Sequence, residues 1–293
     1  MQKIRQSRTL SFLTVALIYL FAGVGGFLVY RILPYGFVIR LLCADLAATL
    51  LIFLFSLIFR NASVYDPYWS VAPVVILFGY LLSSPLTAQR IGVLCVVFLW
   101  GARLTGNWAY TFHGLAFQDW RYTMLREKTS AFYPIINLFG IHLVPTLIVF
   151  ACLIPAVCIF ELAPVQSGSQ FFLLLSLLAV LLQGTSDYQL HRFRREKAGG
   201  LIRTGFWKYS RHPNYLGEIL FWWGIALFGL SVFPGNYLLL IGAFSNTLLF
   251  LFVSIPMADQ RQSRKEGFEQ YKRETRMLLP VPRLARHESE KYN

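Results

Sequence analysis

Long apolar blocks alternate with short polar segments along almost the whole chain. The apolar blocks cover residues 10–30, 37–59, 70–82, 91–108, 135–160, 171–190, 215–233 and 237–256. Most of them approach the ~20 residues that an α-helix needs to cross the hydrocarbon core of a bilayer. Block 70–82 is shorter, which is typical of a tilted, broken or re-entrant segment. The pattern predicts an all-α, polytopic integral membrane helix bundle with about eight transmembrane helices.

Composition supports one transmembrane domain over residues 1–293. The chain is 56% hydrophobic and only 14% charged, against about 25% charged residues in soluble domains. No repeat, low-complexity stretch or long polar linker divides it. The first apolar block is too long for a signal peptide core and lacks a clear cleavage site, so we interpret it as the first transmembrane helix. The four cysteines lack the paired spacing of a metal site or disulfide framework, and we expect no metal site.

The distribution of basic residues predicts the orientation in the membrane. If the amino terminus is cytoplasmic and the chain crosses eight times, all but four of the 27 Lys and Arg residues lie on the cytoplasmic side or in its loops. The exceptions are Arg31, Arg40, Arg90 and Arg103. This asymmetry follows the positive-inside rule, so we expect both termini in the cytoplasm. The net charge of +13 then reflects orientation and anionic lipid, and nucleic-acid binding is not expected.

A carboxylate lies among aromatic residues where the third apolar block begins. Asp66 is flanked by Tyr65, Tyr68 and Trp69, and Pro67 follows it directly. An aspartate that merely starts a helix with proline at its first position would give the same pattern. The aromatic neighbours favour a pocket that contains Asp66. Asp45 has no such motif around it, and we expect it to hydrogen-bond a neighbouring helix.

Two further sets of polar residues share helix faces. Arg103 and Asn107 are one turn apart, and the nearby Gly101 and Gly106 would let a backbone or a ligand approach. The Arg103 guanidinium could extend to the interface or hold a phosphate. Asp187, His191 and Arg194 repeat with the helical period at the end of the sixth block. A structural ion pair and a cofactor site are equally compatible with that second set.

The densest polar segment, residues 192–218, combines basic residues, glycines and a helix start. Basic side chains beside glycines can hold phosphate oxygens, and Pro213 suits the first turn of the next helix. Asn214 and Glu218 then share a face, and Gly217 would leave room for a planar ring or a ribose. The amphipathic segment 259–276 follows later, and most of its cations are expected to meet solvent or lipid.

Three motifs resemble a known membrane family. They are the run 205–218, the run 66–73, and the run 119–122 with sequence Asp-Trp-Arg-Tyr. Together they resemble bacterial membrane proteins of the steroid 5-alpha-reductase-like superfamily, DUF1295 type. The resemblance covers residues 60–282, which leaves 1–59 as two extra N-terminal spans and 283–293 as a cytoplasmic tail. The element around Asn214 is also similar to one in sterol reductases and isoprenylcysteine-type methyltransferases.

The resemblance implies transfer of a hydride from NADPH to the carbon–carbon double bond of an enone-type lipid or steroid-like substrate. Asp66 matches the carboxylic acid that polarises the carbonyl, while Trp100 occupies the position of the tyrosine partner. Tyr65 or Tyr68 would then replace the missing phenol. The implied cofactor-binding residues are Arg103, Asn107, Arg121, Asp187, Arg194, Arg203, Tyr209, Arg211, His212, Asn214, Tyr215, Glu218 and Tyr271.

The implied location is the bacterial inner membrane, with the cofactor site on the cytoplasmic side and the lipid substrate entering from the bilayer. Two other functions stay open. One is an S-adenosylmethionine-dependent membrane methyltransferase, which needs no grip on phosphates and so leaves the arginines unexplained. The other is a catalytically inactive lipid-binding scaffold, which Trp100 in place of tyrosine favours. The sequence leaves the substrate and the oligomeric state undetermined.

Overall fold

A computed structural model describes residues 2–162, 164, 166–197 and 199–280. In those ranges the protein is 80% helical and contains no β-strand. The helices are α1 (Gln2–Gln6), α2 (Arg8–Ile32), α3 (Phe37–Ile58), α4 (Tyr68–Ser83), α5 (Ala88–Thr111), α6 (Trp120–Thr129), α7 (Tyr133–Ile136), α8 (Val144–Glu161), α9 (Gln170–Glu196), α10 (Pro213–Val232), α11 (Ile241–Leu249), α12 (Ile255–Gln262) and α13 (Phe268–Glu274).

The expected fold class, an all-α polytopic membrane bundle, is confirmed. In the described part of the chain, seven helices are long and apolar enough to cross a bilayer. Four of them are α2, α3, α5 and α9, and a fifth is α10. The other two are composite helices, each built from several shorter helical segments, Trp120–Glu161 and Tyr237–Gln262. The short third block, 70–82, lies in α4, which has 16 residues and is therefore below the length of a full span.

The chain forms two compact units. The described residues within 1–174 and 222–246 form the first, and the described residues within 175–221 and 247–293 form the second. The expectation of one transmembrane domain with a core at 60–282 stays a prediction, and so does the cytoplasmic position of both termini. The expected tail at 283–293 lies outside the described residues.

In the first unit, small residues bring helices together. A Cβ on Gly26 of α2 would lie 2.8 Å from the carbonyl oxygen of Ala44 on α3. A Cβ on Gly101 of α5 would lie 2.6 Å from the carbonyl oxygen of Ser70 on α4. Because lipid is as apolar as the helix surfaces, the hydrophobic effect does not drive transmembrane helices together. Glycines allow their backbones to approach closely, and the van der Waals contacts that result stabilise the packing.

The segment between α3 and α4 turns back into the interior of the first unit. Arg60 has a positive φ of 50°, and residues 61–65 are buried. The Asn61 side chain donates to the Leu115 and Phe117 carbonyls at 2.8 and 2.9 Å, and the Tyr19 hydroxyl of α2 donates to the Val64 carbonyl. Irregular backbone inside a membrane bundle is tolerated only where protein groups satisfy it or where it lines a cavity. This segment carries Asp66 and leads directly into α4.

Each of the two composite helices, Trp120–Glu161 and Tyr237–Gln262, contains a π-helical stretch. The stretches are Asn137–Leu143 in the first unit and Phe250–Ser254 in the second. Each is followed within two residues by a proline, Pro145 or Pro256. Proline removes the N–H that would bond the carbonyl four residues earlier, and its ring crowds that carbonyl, so a wider turn relieves the clash.

In the second unit, the loop before α10 packs on α9. The indole N–H of Trp207 donates to the Ser186 carbonyl at 3.0 Å, and the Phe206 amide donates to the Gln189 side chain. Gly205 has φ +62°, and a Cβ there would overlap the Gln189 side chain. Only glycine fits this turn, which fixes the loop that precedes Asn214.

Candidate functional site

In the first unit, the Asp66 carboxyl group accepts a hydrogen bond from a tyrosine. The Tyr122 hydroxyl of α6 donates to the Asp66 Oδ1 at 2.6 Å. Asp66 is half-buried and Tyr122 is buried. Burial raises the pKa of the Asp66 carboxyl from 3.8 to about 6, although the charge of Arg121 and the Tyr122 hydrogen bond lower it. A carboxyl group with this pKa exchanges a proton near neutral pH, as a general acid must.

The start of α6 fixes the surroundings of this carboxyl. Asp119 caps the helix by accepting from the Arg121 amide at 2.9 Å and from the Arg121 Nε at 2.8 Å. The Asp119 amide in turn donates to the Ser63 hydroxyl at 2.9 Å. Arg121 is thus an exposed cation near Asp66 that is already paired, and the run 119–122 acts as a unit that orients Tyr122.

The other two tyrosines near Asp66 have different partners. The Tyr65 hydroxyl bonds the Thr146 hydroxyl at 2.8 Å, and the Tyr68 hydroxyl donates to the Asp45 carboxylate at 2.6 Å. The phenol that hydrogen-bonds Asp66 therefore comes from Tyr122. That Tyr65 or Tyr68 replaces the missing phenol of the reductases stays a prediction. The expected hydrogen bond from Asp45 to a neighbouring helix is confirmed.

Trp100 lies in an aromatic cluster of the first unit. Its ring is fully buried, with centroids 5.9 Å from Trp69 and 4.8 Å from Trp222, both edge-on. Next to it, Gly101 makes the close contact with α4 that the sequence predicts. The cluster makes Trp100 a packing residue, and an indole at this position offers no acidic proton.

Arg103 and Asn107 lie one turn apart on α5, as expected, and both are half-buried. Between them, the Thr105 hydroxyl bonds the Ser70 hydroxyl of α4 at 2.9 Å. The second small residue of this helix differs from the first, because a Cβ on Gly106 would meet no atom within 4 Å. The Gly106 side of α5 therefore leaves space beside Arg103 and Asn107.

In the second unit, an amide and a carboxylate join α9 to α10. The Asn214 side-chain amide donates to the Asp187 carboxylate at 3.1 Å. Asp187 and Glu218 are 8% and 4% exposed, so two acidic residues are buried near the start of α10. The space expected at Gly217 is absent, because a Cβ there would lie 2.5 Å from Gln183. Gly217 serves close helix packing instead of making room for a ring.

The carboxylate of Asp259 on α12 organises the start of α10. It accepts from the Arg211 guanidinium at 2.9 Å and bonds the His212 Nε2 at 2.8 Å. Arg211 also donates to the Thr275 carbonyl at 2.8 Å, and the His212 ring stacks on Tyr215 with planes 9° apart. Burial raises the energy of such charges unless they are paired. Arg211 and His212 therefore join α12, and the residue that follows α13, to the start of α10, and their polar atoms are largely engaged.

Three more of the expected cofactor residues lie near this junction. Arg203 donates to the Gly267 carbonyl, and its guanidinium lies 5.7 Å from the centre of the Tyr271 ring. Tyr271 is buried and its hydroxyl donates to the Trp207 carbonyl. Tyr209 is 51% exposed. Of these residues, Tyr209 presents most of its ring to the surroundings, and Tyr271 packs the interior.

Cations gather at the end of α9 and in the turn after α12. Lys265 donates to the Gly200 carbonyl at 2.7 Å. Burial, together with the charges of Arg194 and Arg261, lowers the pKa of Lys265. Three cations whose fields overlap repel one another, so a polyvalent anion bound among them would relieve the repulsion. This cation cluster, Arg194, Arg261 and Lys265, suits a phosphate.

Two residues of this geometry were not selected from the sequence. Tyr122 lies in the quoted run 119–122, and only its contact with Asp66 distinguishes it from other tyrosines. Asp259 reads as one acid in a basic amphipathic segment, and no spacing connects it to Arg211, 48 residues away. Motif resemblance was the available signal for Tyr122, and none existed for Asp259.

Comparisons with known proteins are consistent with the motifs. An uncharacterised protein of the fission yeast Schizosaccharomyces pombe is 24% identical in an alignment of 200 residues, and the match covers 58% of this chain and 58% of the yeast protein. The match thus spans little more than half of that relative. No solved structure matches the chain. The profile of the family of unknown function DUF1295 matches residues 52–275, which include Asp66, Tyr122 and Asn214. The chain belongs to the DUF1295 family.

Proposed function

We propose that this protein is an NADPH-dependent reductase of the membrane, which reduces the carbon–carbon double bond of an enone-type lipid. The observation that carries the proposal is the Asp66–Tyr122 pair, in which burial raises the pKa of the Asp66 carboxyl to about 6. Reduction of an enone needs an acid at the carbonyl oxygen, and this pair supplies a carboxylic acid and a phenol in hydrogen-bond contact.

The pair would act on the negative charge that develops on the carbonyl oxygen. Bound NADPH would supply the hydride for the β carbon. The protonated Asp66 would donate a hydrogen bond and then its proton to the oxygen, and the resulting enol would tautomerise to the saturated ketone, so that one hydride and one proton are added in total. Tyr122 stabilises the resulting Asp66 carboxylate by donating to its Oδ1. Tyr122 is therefore a positioning residue, and Asp66 is the acid.

Within the first unit, taken by itself, Arg103 and Asn107 lie beside the space at Gly106, and their contact with the cofactor stays a prediction from the motifs. Within the second unit, the cation cluster would bind phosphates, and Asn214, held by Asp187, would present its amide together with Glu218. Arg211, His212 and Tyr271, whose polar atoms are engaged within the protein, would position these groups rather than touch the cofactor.

The proposal places the cofactor residues on the cytoplasmic side, following the orientation that the basic residues favour. It takes a lipid or steroid-like substrate from the bilayer, since seven helices of the described chain can span a membrane. An inner membrane of a bacterium fits both points. NADPH is then available from the cytoplasm, and the apolar substrate never has to leave the membrane.

Thermal stability of the detergent-purified protein tests cofactor binding. A ligand that binds only the folded state raises the free energy of unfolding, by about 2.7 kcal/mol when its concentration is one hundred times its Kd. The denaturation temperature rises as a result. We expect NADPH to stabilise the protein. Arg194→Ala should weaken this effect, whereas Arg192→Ala on the same helix should not, because Arg192 is exposed and pairs with Glu196.

The other outcomes discriminate between functions. Stabilisation by S-adenosylmethionine without any effect of NADPH would assign the protein to the membrane methyltransferases. If neither ligand changes the thermal stability of a folded preparation, the lipid-binding scaffold is favoured. If NADPH binds, Asp66→Asn should abolish reduction of an enone lipid while NADPH still stabilises the variant. Unchanged turnover in Asp66→Asn would remove Asp66 from the reaction.

A further inference from the structure

The first unit contains a second carboxylate, Asp45, inside a transmembrane helix. Asp45 is the ninth residue of α3 and is 8% exposed. An ionisable side chain in a span is costly and usually serves a function. Asp45 lies outside residues 52–275, which the family profile covers, so it belongs to a part of the chain that the family does not define.

A group of buried hydroxyls surrounds this carboxylate. Tyr68 donates to Asp45, while the Thr146 hydroxyl of α8 bonds Tyr65 at 2.8 Å and Thr49 at 3.0 Å. All five side chains are more than nine-tenths buried. The group therefore lies in the interior of the first unit, and three helices contribute to it.

A small cavity lies against this group. Asp45, Tyr68 and Thr146 form its polar wall, and apolar residues from α4 and α8 complete it. Its interior is about the size of one water molecule. Pro73 also lines it, and because proline lacks an N–H, the Trp69 carbonyl one turn earlier has no helical donor. The polar wall of the cavity contains a carboxylate, which accepts hydrogen bonds.

We propose that this cavity binds the hydroxyl group of a lipid alcohol, with Asp45 as the acceptor. A carboxylate offers about four lone-pair sites, and the Tyr68 hydroxyl uses one of them. The Tyr68 proton is committed to Asp45, so the entering group must itself be a donor. A hydroxyl matches both the size and the donor requirement.

The lipid source follows from the apolar side of the cavity. Ala72 and Ile76 of α4 and Val149 of α8 line it and are only half-buried. On α4, Val75 and Phe78 are 60% and 53% exposed, as expected for a helix face in contact with acyl chains. The hydroxyl would enter the cavity while the apolar remainder of the molecule lies along α4 and α8. This site is independent of the proposed reduction.

Matched amphiphiles test the proposal. Hexadecanol, its methyl ether and hexadecylamine would be titrated into the detergent-purified protein while thermal stability is followed. We expect the alcohol to stabilise the protein and the ether not to, since the ether has no donor. The amine is also a donor, but its charge must be desolvated, so we expect it to stabilise the protein less than the alcohol does. Asp45→Asn should weaken alcohol binding about 10- to 100-fold, the loss typical of a hydrogen bond to a charged group. Leu50→Ala, an exposed residue of α3, should leave it unchanged.

Equal stabilisation by ether and alcohol would overturn the proposal, as would a stronger effect of the amine or no effect of the alcohol, which leaves a water site only. A second measurement does not depend on the folding of Asp45→Asn. A photoreactive long-chain alcohol should label α4 or α8 of the unmodified protein, and excess hexadecanol should suppress the labelling. Suppression to the same extent by the methyl ether would refute a hydroxyl-specific site.

Discussion

Replacing Tyr122 by phenylalanine removes the hydroxyl that bonds the Asp66 carboxylate and leaves the ring in place. The hydrogen bond is 2.6 Å long, and a bond to a charged group contributes about 1.5–3 kcal/mol. Its loss disfavours the ionised form of Asp66. Since one pKa unit corresponds to about 1.4 kcal/mol, Tyr122→Phe should raise the pKa of Asp66 by about one to two units above its present value.

This shift has a consequence for stability. The pKa of Asp66 is raised by burial from 3.8 to about 6, so the folded state favours the protonated acid. The corresponding stabilisation, roughly 3 kcal/mol, is complete below pH 4 and is lost as the pH rises to 6. In Tyr122→Phe the loss should continue for one to two further pH units. Asp66→Asn should remove this dependence.

Infrared spectroscopy measures the protonation directly. The carbonyl band of the protonated Asp66 is identified by its absence in Asp66→Asn and is followed against pH in both proteins. Tyr133→Phe is the matched control, because the Tyr133 hydroxyl is buried without a hydrogen-bond partner and its loss should not affect Asp66. A midpoint in Tyr122→Phe that is unchanged, or lower than that of the unmodified protein, would refute the reasoning.

Three further predictions concern stability. Gly101→Ala should destabilise the protein by about 1–3 kcal/mol, because the new methyl meets an α4 carbonyl oxygen at 2.6 Å. Gly106→Ala, where the new methyl meets no atom within 4 Å, should stabilise the protein by about 1 kcal/mol. Equal shifts of the denaturation temperature in the two variants would contradict this prediction. Asp259→Ala should cost about 3 kcal/mol by leaving the buried Arg211 charge uncompensated, and limited proteolysis should then cleave after α12; unchanged protection would count against it. Tyr133→Phe should leave the denaturation temperature equal or higher, since it removes a buried hydroxyl without a partner.

The second unit shows how a motif residue can have a role that its motif does not reveal. Arg211 and His212 stand in a basic, glycine-containing run, and that pattern predicts phosphate binding. In the folded protein, both bond Asp259, which is 48 and 47 residues later in the chain. Residue spacing along one helix constrains only neighbours within about two turns, so a partner at that distance is decided by tertiary packing.

The sequence by itself determined the class of the fold and the type of its packing. Uninterrupted apolar blocks can satisfy their backbone in a bilayer only as helices, so seven candidate spans and the short α4 follow from block length. The close approach at Gly101 follows in the same way from the absence of a Cβ. The carboxyl group of Asp66 could be selected because aromatic neighbours and a motif marked it.

Only the tertiary structure decided which side chains meet. In the folded protein, Asp66 accepts a hydrogen bond from Tyr122 rather than from Tyr65 or Tyr68. Tyr68 donates to Asp45 instead. Hydrogen bonds are short-ranged and directional, and the fold of the segment at 59–67 sets their directions. That segment returns into the bundle, where irregular backbone must find its partners among distant residues. The hydrophobic pattern records burial of each block but carries no information about such pairings.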